Sequence, residues 1–483
     1  MVRSILLICL GLCCGCQRVV AQEGTLSPEL IDEIQQNFSM DTHARAMLNA
    51  LTSTSIKTLS ENRQVLAGHN TTFSHKVNTK GISNQKQSGR CWMFAGFNTL
   101  RPVIMERLDL EGFEFSHIYL QFWDKLEKSN TFLEYMIDYR DQDVLGRELT
   151  FLMETPCPDG GYWENFVDLV QKYGVVPEDV MAETASSEGT ALMNQNLNRL
   201  LRKHAVVMRD IYQRTGSVEK MRGAKKEALT EVYKMLVLNL GQPPREFTWR
   251  HPLNPDDDDE VGDDADEGDD EDEDKDDVIV PLSDPKAYTP QSFYAECVGV
   301  DLNDYVNLAD DPIAPKGSHI AIQFTKNFYD GQSAHYANVD RDTLKQVAMA
   351  MIKDDHAVYF AADVSPNQDN KKGIMEAHLY DYDSVYGLDL NIDKQQRLLL
   401  RDSTVNHGMA FIGVDLIDDK PVKWLVENSW GTDRGDGGLW TMYDNWFDEY
   451  VFNIIVPKQY LPAEVKQIFE KPAEVKPVWY PMW

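Results

Sequence analysis

The chain has 483 residues, of which 42% are hydrophobic and 26% charged, and it carries a formal net charge of −31 at pH 7. That length buries a large core and by size alone admits about three domains. The acidity speaks against a nucleic-acid partner, because phosphate binding needs clustered Lys and Arg.

The N-terminus has Arg3, an apolar run from Ile5 to Leu12, then small residues, with Val19-Val20-Ala21 as a cleavage site before Gln22. Residues 1–21 therefore read as a signal peptide, and the run is too short to cross a bilayer. A lipoprotein attached through Cys16 is the alternative. Beyond this segment only Cys91, Cys157 and Cys297 remain. The last two would pair only in an oxidising compartment; scattered cysteines more often stay free.

After an N-terminal segment, 22–75, Cys91 follows the polar loop Asn84-Gln85-Lys86-Gln87-Ser88-Gly89-Arg90 and opens the apolar run Trp92-Met93-Phe94-Ala95. Ser88-Gly89 suits a loop and the run suits a core, so Cys91 is expected in the first turn of a helix. There the helix dipole supplies about half a positive charge, which favours the nucleophilic thiolate. Gln85 opens that loop. Its neutral amide can turn back and, with the Cys91 N–H, bind an oxyanion.

Trp163, Phe166, Val167 and Val170 predict an amphipathic helix; Met193, Leu197, Leu200 and Leu201 predict a second, and Val218 to Leu240 a third. These give a helical lobe over 76–190 and a helical insertion over 191–290. Inside the insertion, 256–277 holds 17 acidic residues and one Lys, contributing −16 of the net charge. Such a run self-repels and cannot form a core, so it reads as a disordered surface loop. It lacks the spaced ligands and turn glycine of a calcium loop. No His-Glu-x-x-His, phosphate loop or dinucleotide turn occurs, so no metal and no cofactor is expected.

The stretch 291–470 reads as β-rich. Ala357 to Val364, Met409 to Asp415 and Val422 to Val426 are strand candidates, with Asp418-Asp419-Lys420 as a turn. A hairpin centred there sets Asn428 opposite Met409, on the same face as His407. The Asn428 amide can then orient the imidazole, and Trp430, expected at the substrate cleft, can cover that bond. Thiol, imidazole and amide together fit acyl transfer through a covalent intermediate.

The flanks of these residues resemble the bleomycin hydrolase and bacterial aminopeptidase C family of papain-like cysteine peptidases. The resemblance is carried by Asn84-Gln85-Lys86 with Ser88-Gly89-Arg90-Cys91-Trp92, by Phe122-Trp123-Asp124-Lys125-Leu126-Glu127-Lys128-Ser129-Asn130, by Asp159-Gly160-Gly161 with Trp163, by Lys172-Tyr173-Gly174-Val175-Val176-Pro177, by Val426-Glu427-Asn428-Ser429-Trp430-Gly431, and by Trp446-Phe447 with Glu449-Tyr450-Val451-Phe452. It implies an α+β, two-lobed papain-like fold with a helical insertion. It implies Cys91 as nucleophile, His407 as base and acid, Asn428 as orienter and Gln85 as oxyanion donor. It further implies Gly160 and Gly161 along the cleft, peptide substrates, aminopeptidase action and a homohexameric ring. Ser88 stands where many papain relatives carry a disulfide-forming Cys.

In that family the C-terminal tail lies in the cleft and its end receives the substrate's free amino group. Here 471–483 is expected to form such an arm, with Trp483 ending it a few residues early. That sets an oligopeptidase or endopeptidase as the alternative to an aminopeptidase, with Trp483 at the cleft. A non-catalytic binding or scaffold ring is the remaining alternative. Against a largely cytoplasmic family, the signal peptide suggests a bacterium of Gram-negative type that exports the protein.

Overall fold

The computed structural model describes residues 24–253 and 281–482. The signal peptide with Cys16, the acidic run 256–277 and Trp483 lie outside them. Two compact units are present: residues 24–61 with Asp381–Leu390, and the remainder. The smaller holds the short helices Pro28–Asn37, Thr42–Leu51, Ile56–Ser60 and Tyr382–Tyr386. Ser27, Asp41, Ser55 and Asp381 each cap one of them by accepting a first-turn N–H, which satisfies donors that a helix start leaves open.

The larger unit carries every candidate site residue among the described residues. Its helical half is built on Cys91–Leu108, His117–Asp138, Trp163–Tyr173, Ala191–Thr215 and Val218–Leu240. All three predicted helices are there, the third with the predicted bounds. The last two are the helical insertion. They bury Leu197, Leu201, Val232 and Leu236 in one core with Trp92, Phe97 and Phe166 of the Cys91 side.

The other half is a twelve-stranded mixed sheet. From one edge it runs Glu474–Lys476, His319–Ile322, His335–Asn338, Tyr305–Ala309, Val451–Pro457, Val358–Ala362, His407–Ile417, Lys420–Glu427, Leu439–Tyr443, Ile374–Met375 and Gln368–Asp369, with His75–Lys76 on the outer part of the His407 strand. The predicted hairpin forms. Ile417 pairs with Lys420 across Asp418 and Asp419, both with positive φ of 52° and 59°, the mirror-image turn that matches strand twist. Ala410 pairs with Glu427, so the register leads Asn428 toward Met409 as expected. A β-bulge between Phe411 and Gly413 was not foreseen; a Cβ on Gly413 would sit 2.8 Å from the His75 carbonyl. Helix Arg341–Lys353 buries Leu344, Val347, Met351 and Ile352 against the sheet core. None of the described helices is long and apolar enough to cross a membrane. Cys157 and Cys297 are both free and buried.

Candidate active site

Cys91 is the first residue of its helix, and Arg90 caps it without a side-chain bond. The loop before it is held from elsewhere. Arg90 is 1% exposed and makes a two-pronged ion pair with Glu183, at 2.8 and 2.9 Å, while also donating to the Ser187 carbonyl at 3.0 Å. A forked guanidinium fixes direction as well as distance. The thiol is therefore delivered by a rigid loop into a helix start.

His407 opens its strand at the level of Ala362. Its Nε2 donates to Asn428 Oδ1 at 2.8 Å, and the Ser429 N–H donates to the same oxygen at 2.8 Å. That leaves Nδ1 for the Cys91 sulfur, with which the ring makes a hydrogen bond. Burial works against the Cys91 thiolate. The His407 charge, its hydrogen bond and the N–H groups of Gly408 and Trp92 outweigh burial and bring the thiol below its ordinary value. Burial likewise opposes the imidazolium, but the Cys91 charge, the Cys91 hydrogen bond and Asn428 raise His407 above the usual imidazole range. Opposite shifts on two touching groups define a thiolate–imidazolium pair.

Gln85 is joined to the Asn428 segment. Its backbone N–H donates to the Ser429 carbonyl at 2.8 Å, and Gly431 N–H donates to Ser83 at 3.1 Å. Ser429 Oγ donates to Gln85 Oε1 at 2.7 Å, which turns Nε2 the other way. One Nε2 hydrogen goes to the Ser88 carbonyl at 2.6 Å; an amide nitrogen carries a second.

Gln85, Cys91, Gly160, Gly161 and His407 line one cleft of about 610 Å³. Asn428 is fully buried behind His407. Trp430, expected at the cleft, does not line it. Its ring packs on His407 with centroids 4.9 Å apart and meets Trp440 edge-on at 5.5 Å. The reason is local: Asn84 pairs with Trp430 and Gly431 turns at φ 75°, so the indole is drawn onto the back of the imidazole. The sequence reading set Trp430 over the His407–Asn428 bond; the structure packs its ring on the imidazole that makes this bond. Gly161 is required by packing, since a Cβ would lie 2.6 Å from the Trp92 ring, whereas a Cβ on Gly160 would meet nothing within 4 Å.

Sequence reasoning missed several cleft residues. Tyr359, Asn307, Phe324, Lys128 and Val478 all line it. Lys128 lay in a quoted stretch with no role attached. Val478 belongs to the C-terminal arm, whose Glu474–Lys476 strand pairs in parallel with Ile320–Ile322. Beyond it, the Arg147 guanidinium stacks 3.9 Å from the Trp479 ring, Tyr480 donates to Asp311 at 2.8 Å and Met482 is fully buried.

One further pair connects the two halves. Arg101 of the Cys91 helix forms an ion pair with Glu427, the residue before Asn428; both are buried. Arg101 also reaches Glu114 and Asn98 at 3.2 Å each and donates to the Thr79 and Gly81 carbonyls at 3.0 Å.

A thiol at a helix start, paired with an oriented imidazole across a cleft, is the site of a thiol-dependent hydrolase on a papain-like α+β fold. The Peptidase C1-like family matches residues 25–267 and 270–483, and the chain belongs to it. Aminopeptidase C of Streptococcus thermophilus is 35% identical over 461 residues, 95% of this chain and 98% of that one. Bleomycin hydrolase of Homo sapiens is 33% identical over 423 residues, 85% and 88% of the two chains. The crystal structure of pepW from Lactobacillus rhamnosis HN001 superposes with a TM-score of 0.86 at 34% identity, covering 95% of this chain and 99% of that one.

Proposed function

We propose that the protein is a cysteine aminopeptidase of broad specificity that removes N-terminal residues from peptides. The observation that carries the chemistry is the Cys91–His407 pair, its thiol lowered and its imidazole raised, held at 2.8 Å by Asn428. Cys91 attacks the scissile carbonyl as thiolate. The Cys91 N–H and the second Nε2 hydrogen of Gln85 receive the oxyanion. His407 gives its proton to the leaving amine, and the acyl group stays on sulfur as a thioester. Water, deprotonated by His407, then releases the product acid. No cofactor enters these steps.

The choice of aminopeptidase rests on the aminopeptidase C relatives. An arm that reaches the cleft through Val478 accords with a cleft limited on one side. The oligopeptidase alternative and the scaffold-ring alternative are not favoured. The homohexameric ring and export through residues 1–21 are part of this proposal; light scattering of the purified protein and mass spectrometry of its mature N-terminus check them.

The deciding experiment compares a fluorogenic amino-acid amide with its N-acylated twin, for wild type and Cys91→Ser. The free substrate is expected to turn over in wild type alone. Equal rates on both would remove the aminopeptidase assignment and keep the peptidase. No Cys91-dependent turnover on either would remove both.

A further inference from the structure

The strip Pro158-Asp159-Gly160-Gly161 borders the cleft beside Cys91 but lies in no helix or strand. Its carbonyls have no ladder partner and must find donors elsewhere. They find them behind the strip, on helix His117–Asp138. Lys128 Nζ donates to Pro158 O at 3.1 Å, to Gly160 O at 2.7 Å and to Asp124 Oδ2 at 2.7 Å. An ammonium has three hydrogens, and each has its acceptor. Lys125 Nζ donates to Pro158 O at 3.0 Å and meets Asp159 Oδ1 at 2.6 Å.

Asp159 continues the chain of contacts toward the thiol. Its Oδ2 accepts the Gly89 N–H at 3.1 Å and the Thr190 hydroxyl, and its carbonyl accepts the Trp92 indole N–H at 2.9 Å. The strip is thus tied on one side to two lysines, 1% and 7% exposed, and on the other to the residues flanking Cys91. Buried ammonium groups are costly unless bonded; Lys128 has three acceptors, and Lys125 has the Pro158 carbonyl and the Asp159 carboxylate. With the Pro158 and Gly160 carbonyls drawn back to the lysines and the Asp159 carbonyl held by Trp92, the N–H and C=O of Gly161 find no partner among the described residues. A Gly160 Cβ would meet open space. The strip turns bare backbone toward the cleft.

We propose that Lys128 is a positioning residue for substrate. By holding the Pro158 and Gly160 carbonyls it sets the Gly160-Gly161 backbone at the level where an extended peptide over Cys91 lies alongside it. This rests on the peptidase reading. Lys128 acts through the strip and not on the sulfur: its Nζ is 5.3 Å from the Trp92 ring centroid, and the groups that lower the thiol are His407, Gly408 and Trp92.

The test is Lys128→Met in the full-length enzyme, which keeps the stem and deletes the three donors. KM for Ala-Ala-coumarylamide is expected to rise roughly tenfold or more, with a smaller fall in kcat. The rate and pH profile of Cys91 alkylation by iodoacetamide, a reagent that needs no backbone register, are expected to match wild type. An unchanged KM overturns the proposal. So does a displaced alkylation profile, which would put Lys128 on the thiolate, or a parallel loss of turnover and alkylation, which would make its role merely structural. If Lys128→Met does not fold, Thr190→Val removes a single tie to Asp159. It should raise KM about threefold with alkylation unaltered, and failure to do so overturns the proposal equally. Wild-type enzyme lacking Cys91-dependent turnover would bring down the peptidase reading first and this proposal with it.

Discussion

The two halves of the site are held by different forces. On the Cys91 side, loop backbone is braced by buried charge: Arg90 on Glu183 and Ser187, Lys125 and Lys128 on the Pro158–Gly160 carbonyls, Asp159 on the Gly89 N–H. On the His407 side, strand register, a neutral amide bond and stacked rings suffice. The difference follows from backbone bookkeeping. A strand answers its own polar groups through the ladder, and an irregular segment borrows donors from side chains. Multi-donor cations do that in the least space. Arg101–Glu427 is where the two systems meet.

The comparison can be broken first at the base. His407→Ala should lower kcat by about four orders of magnitude or more while leaving stability within about 1 kcal/mol; steady-state rates and urea melts measure both. A large stability loss would mean that His407 also braces the sheet side. Next comes the junction. Arg101→Met leaves Glu427 buried without its partner and should cost about 3–5 kcal/mol, seen as a lower urea midpoint. Arg101→Met with Glu427→Met should cost less than the single change, since no buried charge is stranded.

Asn428→Ala sharpens the neutral side of the comparison. It should reduce kcat/KM roughly a hundredfold. Asn428 is one of the groups that raise His407, so its loss should bring the alkaline limb of the rate profile to lower pH. The acid limb belongs to Cys91 and should move less. Unmoved limbs would show that Asn428 does not hold the imidazolium.

The smallest effect is at Glu164, buried beside the cleft with Oε2 unpaired. Burial raises it from the ordinary 4.5 to about 7. A carboxyl raised on folding holds its proton more tightly when folded, so stability falls as pH climbs from about 4.5 to about 7. Glu164→Gln should flatten that slope and gain on the order of 1–2 kcal/mol at pH 8. A variant less stable at pH 8 would mean that the ionised form is needed.

Much of this was legible before any coordinates. The Cys91 helix start, the Val218–Leu240 helix and the Asp418-Asp419 turn are local events, set by apolar period and turn chemistry. The turn then carried the register, and the register carried Asn428 to His407. Other things were not legible. Trp430 has the composition of a cleft residue, but the Gly431 turn and the Asn84 bridge put it behind the imidazole. Lys125 and Lys128 sit one helical turn apart on an amphipathic helix and look like solvated charge. Only the strip packed against them shows that they are buried.

What the sequence determined by itself is therefore the set of reacting groups and their order. Each rests on short-range pattern: a thiol after a loop, an imidazole at a strand start, an amide past a hairpin. Tertiary structure decided which polar groups answer the irregular backbone, how the thiol and imidazole shift each other, and where the arm carrying Val478 meets the cleft. Those depend on burial and on contacts between residues far apart in the chain, and a linear pattern carries no record of either.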